Sequence, residues 1–194
     1  VDNIITPTFV SFNQKAQENY QSISQYCAVE KDVAAGSATE QARLESLSSA
    51  QTSWQETALQ WQHAELMQMG PLIENGSELR NVIYSWPAKS LCGVDQDTAY
   101  FEDGNINLNP SRPYNLKERT ATRRGLVSLE HLLFSESLNH NCSVANDALA
   151  DWNNRSDSER RIARCEFAVE VASDLIDNSQ ILLDRWQGDD GYAM

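Results

Sequence analysis

Apolar residues recur at steps of three and four positions near the N-terminus, and this spacing predicts one face of an α-helix. We place its start near Thr6-Pro7, because a capping hydroxyl followed by proline is typical of a helix N-terminus. The helix should end before Gly36, since glycine favours the left-handed conformation that terminates helices. Its predicted buried face consists of Phe9, Phe12, Ala16, Tyr20, Ile23 and Cys27.

A second long helix is predicted directly after the first. Ser37 and Glu40 have the spacing of a capping box, in which each residue's side chain binds the other's backbone amide. The helix should reach Met69, because Gly70-Pro71 is a strong termination signal. Its predicted apolar face consists of Leu44, Leu47, Ala50, Trp54, Ala58 and Trp61.

The last helix carries the longest apolar repeat. Ser156 and Glu159 predict another capping box at its start. The alternation of three- and four-residue steps then persists over several heptads, as in a helix that packs lengthwise in a bundle. Its predicted face consists of Ile162, Cys165, Val169, Ala172, Ile176, Ser179, Leu183 and Trp186.

The centre of the chain is less regular. We predict a short helix over residues 78–86, a longer one over residues 117–135 and a short one near residues 144–152. Residues 87–118 contain three prolines and many Asn and Asp residues, so we predict a long irregular loop there. No segment alternates as a strand does. The sequence therefore predicts an all-α fold, an antiparallel bundle of four to five main helices in a single domain over residues 1–194.

The charge and apolar content of the chain limit the kinds of partner that it can bind. The chain has 15 basic and 28 acidic residues and a net charge of −13. This charge argues against a nucleic-acid partner, because nucleic acid requires a basic surface. No apolar run approaches the length of a membrane span.

The four cysteines are widely spaced and lack the C-x-x-C spacing of a zinc site. Two disulfides, and hence a periplasmic or cell-surface location, are the preferred interpretation, with free thiols in a cytosolic protein as the alternative. Four cysteines allow three pairings. We expect Cys27 to pair with Cys165, because both lie on apolar faces of long helices. Cys92 and Cys142, in or beside irregular segments, should form the second pair.

Glu130 is the first candidate for a metal or ligand contact. Apolar residues surround it one helical turn away, which predicts that its carboxylate lies in an apolar patch. A buried carboxylate must be paired, protonated or bound to a metal. The alternative is a structural ion pair, for example with Arg123. The apolar neighbours are Leu126, Val127, Leu133 and Phe134.

Two weaker candidates lie on the second helix. Glu65 continues the apolar face one turn after Trp61, although it could equally lie at the polar edge of that face. His63 lies among apolar residues, where a lone histidine is more often a packing residue than a ligand. No nucleophile and base are recognisable as a pair, so we identify no catalytic residue.

Several short motifs follow one another along the chain. They are Trp61, Gly70-Pro71, Trp86-Pro87 and the helical segment GLVSLEHLLF, which begins at Gly125. In this order and at these distances they resemble the imelysin-like family of bacterial iron-associated proteins. The resemblance extends over nearly the whole chain, which is similar to the first half of the longer family domain.

The resemblance implies an all-helical fold of two helical bundles, on a periplasmic protein or surface lipoprotein that is associated with iron uptake or iron regulation. The family's proposed metal motif is G-x-H-x-x-E. Gly125 and Glu130 match it, but Val127 occupies the histidine position. The adjacent His131 is rotated by about 100° around the helix and is no simple replacement. This departure argues against metal binding at the motif and against metallopeptidase activity.

We therefore expect a non-enzymatic module of the bacterial envelope that is associated with iron acquisition and binds a ligand, a metal or a protein partner. A metal-dependent imelysin-type peptidase and a structural interaction domain are the alternatives. The candidate cofactor is iron or another divalent metal. The candidate partner is a protein or small ligand at the cell envelope. The resemblance also allows a peripheral or lipid-anchored membrane association of the full-length protein.

Overall fold

The structure is a computed structural model that describes residues 3–188 and 191–192. Its fold is all-α, as predicted, and the described residues form no β-strand. None of the described helices is both long enough and apolar enough to span a membrane. The α-helices are α1 (Ile5–Ala34), α2 (Glu40–Glu65), α3 (Glu78–Ile83), α4 (Leu91–Asp103), α5 (Gly125–Phe134) and α6 (Asp157–Gln187).

The three long helices form the body of the bundle. α1 packs along both α2 and α6, and the shorter α5 packs against α6 and α2. α1 and α6 are antiparallel, because early residues of α1 contact late residues of α6. Asn13 donates to Ser179 over 2.8 Å, whereas Glu30 accepts from Arg161 over 2.7 Å.

Aromatic side chains fill the bundle. The ring of Phe9 meets Trp186 edge-on at 5.4 Å between centroids, and Phe12 lies 5.0 Å from Trp61. All four side chains are almost completely buried. Aromatic side chains of this size contribute more apolar burial than any other type, so these contacts stabilise the packing of α1 against both neighbours.

The ends of the long helices agree with the sequence prediction only in part. α6 begins with the predicted capping box, since Ser156 and Glu159 bind each other's backbone amides. α2 does not, because Thr39 and not Ser37 caps it, by accepting from the Ala42 amide over 3.2 Å. α2 also ends at Glu65, short of the predicted Met69.

α1 begins at Ile5, but the hydroxyl of Thr6 does not cap it. Instead, the Oγ1 atom of Thr6 accepts a hydrogen bond of 2.9 Å from the indole nitrogen of Trp186. This bond satisfies the polar atom of a buried tryptophan and ties the beginning of α1 to the end of α6.

The prediction of an irregular loop over residues 87–118 is wrong, because α4 lies within this range. The buried face of α4 includes Asp95, Asp97 and Thr98, all without exposed surface. Asp97 accepts hydrogen bonds from Arg119 and Arg123. An apolar repeat cannot reveal such a helix, because ion pairs with remote residues replace apolar packing on its inner side.

The other short elements differ from prediction mainly in length. The helix predicted over residues 78–86 ends at Ile83, and the one predicted over residues 117–135 begins only at Gly125. Two 3-10 turns, Asp147–Leu149 and Trp152–Asn154, take the place of the helix predicted near residues 144–152. Val144, at its predicted start, is 80% exposed.

Both predicted disulfides are confirmed. Cys27 and Cys165 join α1 to α6 across 138 positions of sequence. Cys92 and Cys142 join the start of α4 to the segment after α5, across 50 positions. The described residues therefore contain no free cysteine.

Candidate ligand site on helix α5

Two contacts fix the start of α5, one with α6 and one with α3. Arg124 donates two hydrogen bonds to Asp174 of α6, of 3.0 and 2.7 Å, and both side chains are buried. Gly125 has a φ of +63°, and a Cβ atom there would lie 2.3 Å from the carbonyl oxygens of Val82 and Ile83. Only glycine combines this conformation with so close an approach of two backbones.

Glu130 is exposed, so its predicted burial in an apolar patch is wrong. Leu126, Val127 and Leu133 are buried as expected, because α5 is covered by α6, α2 and α4. Glu130 lies on the strip of α5 that these neighbours leave open. Apolar residues one turn away therefore do not show that a side chain is enclosed.

A cavity of about 180 Å³ opens beside this strip. Val127 is only 2% exposed and forms part of its wall at the position where the family motif has histidine. The cavity thus offers one exposed carboxylate, one ammonium group and several apolar surfaces. Its lining consists of Lys89, Leu91, Val127, Glu130, His131, Phe134 and Ser135.

His131 is held in place from both ring nitrogens. Its Nε2 atom lies 2.8 Å from Oδ1 of Asp95, and its Nδ1 atom lies 2.8 Å from the hydroxyl of Ser135. With Asp95 ionised, Nε2 carries a proton and donates to the carboxylate, while Nδ1 shares the second hydrogen bond with the Ser135 hydroxyl. The second nitrogen of His131 is therefore occupied within the protein and does not point a free lone pair into the cavity.

Asp95 is fully buried and accepts four hydrogen bonds from three residues. Besides His131, it accepts from the backbone and side-chain amides of Asn141, at 2.6 and 3.1 Å, and from Arg164 at 3.4 Å. Burial acts to raise the pKa of Asp95, but the hydrogen bonds from His131 and Asn141 outweigh it and hold the pKa below its ordinary value. Asp95 is thus a buried anion that joins α4, α5 and α6.

The charges of both predicted carboxylates act on Tyr84. Burial raises the pKa of Tyr84, and the negative charges of Glu130 and Glu65 raise it further. Glu65 is half-buried, whereas His63 is exposed and does not line the cavity. Within residues 3–188 and 191–192, no three His, Cys, Asp or Glu side chains form a group that could hold a metal ion.

The other motif residues do not line this cavity. Trp61, Gly70 and Pro71 are buried, and the backbone of Gly70 passes close to the rings of Trp186 and Tyr192. Trp86 is 52% exposed and precedes the exposed Pro87. The ammonium group of Lys89, which lines the cavity, lies 5.5 Å from the centre of the Trp86 ring.

Sequence reasoning missed Asp95 and Ser135 as members of this site. Ser135 lies four positions after His131, a spacing that places both on one side of a helix and could have been noticed. Asp95 lies 36 positions before His131, in a segment predicted to be irregular, so no local signal connects the two.

The bundle, the closely packed Gly125 and the cavity on α5 define an all-α helical module. The imelysin family model matches residues 5–194, and the chain therefore belongs to the imelysin family. Comparison with curated proteins and with solved structures gave no match.

Proposed function

We propose that this chain is a ligand-binding imelysin module of the bacterial envelope that serves iron acquisition and has no metal-dependent peptidase activity. Membership of the imelysin family supports the association with iron. The observation that carries the rest is the wall of the cavity on α5. There, a buried valine and an exposed glutamate occupy the positions of the motif's histidine and glutamate.

The side chain of Val127 cannot coordinate a metal or a zinc-bound water. The only imidazole in the cavity wall, that of His131, already engages Asp95 and Ser135. A catalytic zinc site normally has three protein ligands and an open position. The cavity is better suited to a small ligand or a partner's side chain, which Glu130 would contact, with Glu65 as a second carboxylate nearby.

The envelope location is supported by the disulfides. Both bridges join segments that are distant in sequence, and such structural disulfides persist mainly in oxidising compartments. Fractionation of the cells that encode the chain should recover it outside the cytoplasm. If the chain were found in the cytoplasm with four free thiols, the proposed location would be wrong.

Restoring the motif histidine tests the proposal for the cavity. Residues 127 and 130 lie on one face of α5, so Val127→His should place an imidazole next to Glu130. We expect equilibrium dialysis with Zn²⁺ and Fe²⁺ to show metal affinity in Val127→His at least about tenfold above the wild type. This gain should disappear in the Val127→His, Glu130→Gln double variant.

The control is Glu45→Gln, which changes an exposed carboxylate of α2 that does not line the cavity. It should retain the gain when combined with Val127→His. The wild type should cleave no peptide in the presence of either metal. Metal-dependent cleavage by the wild type that is lost in Glu130→Gln would favour the peptidase alternative.

A further inference from the structure

A second and larger cavity, of about 310 Å³, lies where α1, α2 and α6 meet the end of α5. Ser135 lines this cavity as well as the one on α5. We refer to it as the arginine cavity. Its lining consists of Tyr26, Arg43, Leu47, Leu132, Leu133, Ser135, Glu136, Leu138, Asp157, Arg161 and Arg164.

Three guanidinium groups converge on this cavity. The side chains of Arg43, Arg161 and Arg164 are only 11, 23 and 4% exposed. Each of the three is paired with a carboxylate, at Glu40, Glu30 and Asp95 respectively, so the cavity stands out for its unused guanidinium donors and not for a net positive charge. The opposing carboxylates in the lining, Glu136 and Asp157, are both exposed, and Asp157 is paired with Arg160, which does not line the cavity.

The arginines keep unused donors. Within the part of the chain that the structure describes, Arg161 donates only through Nε, to Glu30. Arg43 donates through Nε and one terminal nitrogen to Glu40, while its other terminal nitrogen lies 3.9 Å from Glu30, too far for a hydrogen bond. The Nε atom of Arg164 is buried without a partner among the described residues.

A buried polar group without a partner is costly to the fold, so such a group usually indicates a water, ion or ligand that satisfies it. Arg164 therefore points to a binding site independently of the clustering of charge. Glu30 holds Arg161 through its Oε1 atom, while its Oε2 atom is buried without a hydrogen bond among the described residues. As an acceptor, Oε2 would be satisfied by a donor such as water and not by an anion. An anionic ligand would bind the outer donors of Arg43 and Arg161, while Glu30 keeps both side chains in position from behind.

The rest of the lining is apolar. Four leucines, at positions 47, 132, 133 and 138, contribute to the wall. The Tyr26 hydroxyl adds a polar group to this wall, and burial together with the negative charge of Glu30 raises its pKa. A planar guanidinium binds a carboxylate through two parallel hydrogen bonds, and the leucines suit a hydrocarbon body.

We propose that the arginine cavity binds a small organic carboxylate with an apolar body. This site is separate from the proposed ligand site on α5 and goes beyond the function proposed above. Neither the motif residue Val127 nor the exposed Glu130 takes part in it.

The test is isothermal titration calorimetry of the whole chain with 3-phenylpropionate, 3-phenylpropionamide and inorganic phosphate as probes. The amide has the same body without the charge, and phosphate has the charge without the body. We expect the carboxylate to bind at least about tenfold more tightly than either of the other probes.

Two variants test the site without removing the positive charge that Glu30 requires. Arg161→Lys keeps that charge but loses the planar fork, and Leu138→Trp fills the cavity from a segment outside the α-helices. Each should weaken binding of 3-phenylpropionate at least about tenfold. Arg112→Lys, at an exposed arginine outside the lining, is the matched control and should bind as the wild type does.

Circular dichroism melts should first confirm that each variant is folded. No binding of 3-phenylpropionate up to about 10 mM would overturn the proposal, since this corresponds to less than about 3 kcal/mol of binding free energy. If the amide bound equally well, the charge of the ligand would not contribute to binding. If phosphate bound equally well, the apolar wall would not contribute. Undiminished binding in both folded variants would place the ligand elsewhere.

Discussion

The Nε2 atom of His131 lies 2.8 Å from the Oδ1 atom of Asp95, although the two residues are 36 positions apart. This contact joins α5 to α4. Arg164 of α6 and Asn141 of the segment after α5 bind the same carboxylate. A single buried anion therefore holds together four parts of the chain that meet beside the two cavities.

We expect Asp95→Asn to lower the free energy of unfolding by about 3–5 kcal/mol, because it leaves the buried Arg164 without its counter-charge. Urea denaturation at pH 7 measures this change. Asp147→Asn, at an exposed aspartate, should change the stability by less than about 0.5 kcal/mol. Equal effects of the two substitutions would contradict the central role of Asp95.

The lowered pKa of Asp95 also predicts a dependence on pH. Below the ordinary aspartate pKa, the unfolded chain binds a proton that the folded chain still excludes, so the stability rises with pH in this window. The contribution of Asp95 is complete above about pH 4–5 and is lost as the pH falls through its folded pKa. Urea denaturation between about pH 2 and pH 7 should show the wild type and Asp95→Asn converging towards acid. A constant difference across this range would show that the folded pKa of Asp95 is not lowered.

Gly125→Ala should destabilise the fold by roughly 2–4 kcal/mol, since it combines a left-handed backbone with overlap against two carbonyl oxygens. Gly104 is a matched control, because it has a φ of +71° but open space around its Cβ position. Gly104→Ala should cost only about 1–2 kcal/mol. Thermal melts of both variants measure the difference, and equal melting temperatures would mean that the contact of Gly125 with α3 is not tight.

Glu130→Gln should leave the free energy of unfolding within about 0.5 kcal/mol of the wild type, because the side chain is exposed. A thermal melt with and without added iron or zinc measures this, together with any shift on metal addition. A large fall in melting temperature would show that Glu130 is buried and structurally paired.

Both disulfides should contribute to stability, each by about 2–4 kcal/mol. The Cys27–Cys165 bridge closes the longer segment, of 138 positions against 50. Its replacement by two alanines should therefore cost about 1 kcal/mol more than the same change at Cys92 and Cys142. Urea denaturation compares the two variants, and non-reducing peptide mapping checks the pairing. Four free thiols in the native protein would contradict both bridges.

The sequence was most informative where a helix is long and its inner face is apolar. The predicted face of α1 is buried apart from the half-buried Tyr20, whereas Leu44 near the start of α2 is 47% exposed. On α6 the core extends beyond the predicted face, because Phe167, Val171 and Leu175, which were not predicted, have no exposed surface. The capping box of α6 was predictable because Ser156 and Glu159 act within one turn. Local spacing is sufficient for such features, since both partners are set by the same helical geometry.

The sequence was least informative where polar groups are buried. α4 was not predicted, because its inner face carries Asp95 and Asp97, whose partners are distant in the chain. The error at Glu130 is the opposite one, because this residue was predicted to be buried and is exposed. Apolar neighbours on the same helix do not reveal whether another element covers the residue. The arginine cavity also could not be predicted from the sequence, because Arg43 and Arg161 come from different helices.

The two disulfides also determine what a protease can release from this chain. Any single cut between residues 27 and 165 leaves both pieces joined by at least one bridge, and a cut between residues 92 and 142 leaves them joined by two. The irregular segment between α4 and α5 falls in the doubly linked range. Pieces tethered in this way remain at a high effective concentration of one another, so they can reassociate as if within one molecule. A nick in this segment therefore converts the protein into a two-chain form without dispersing it.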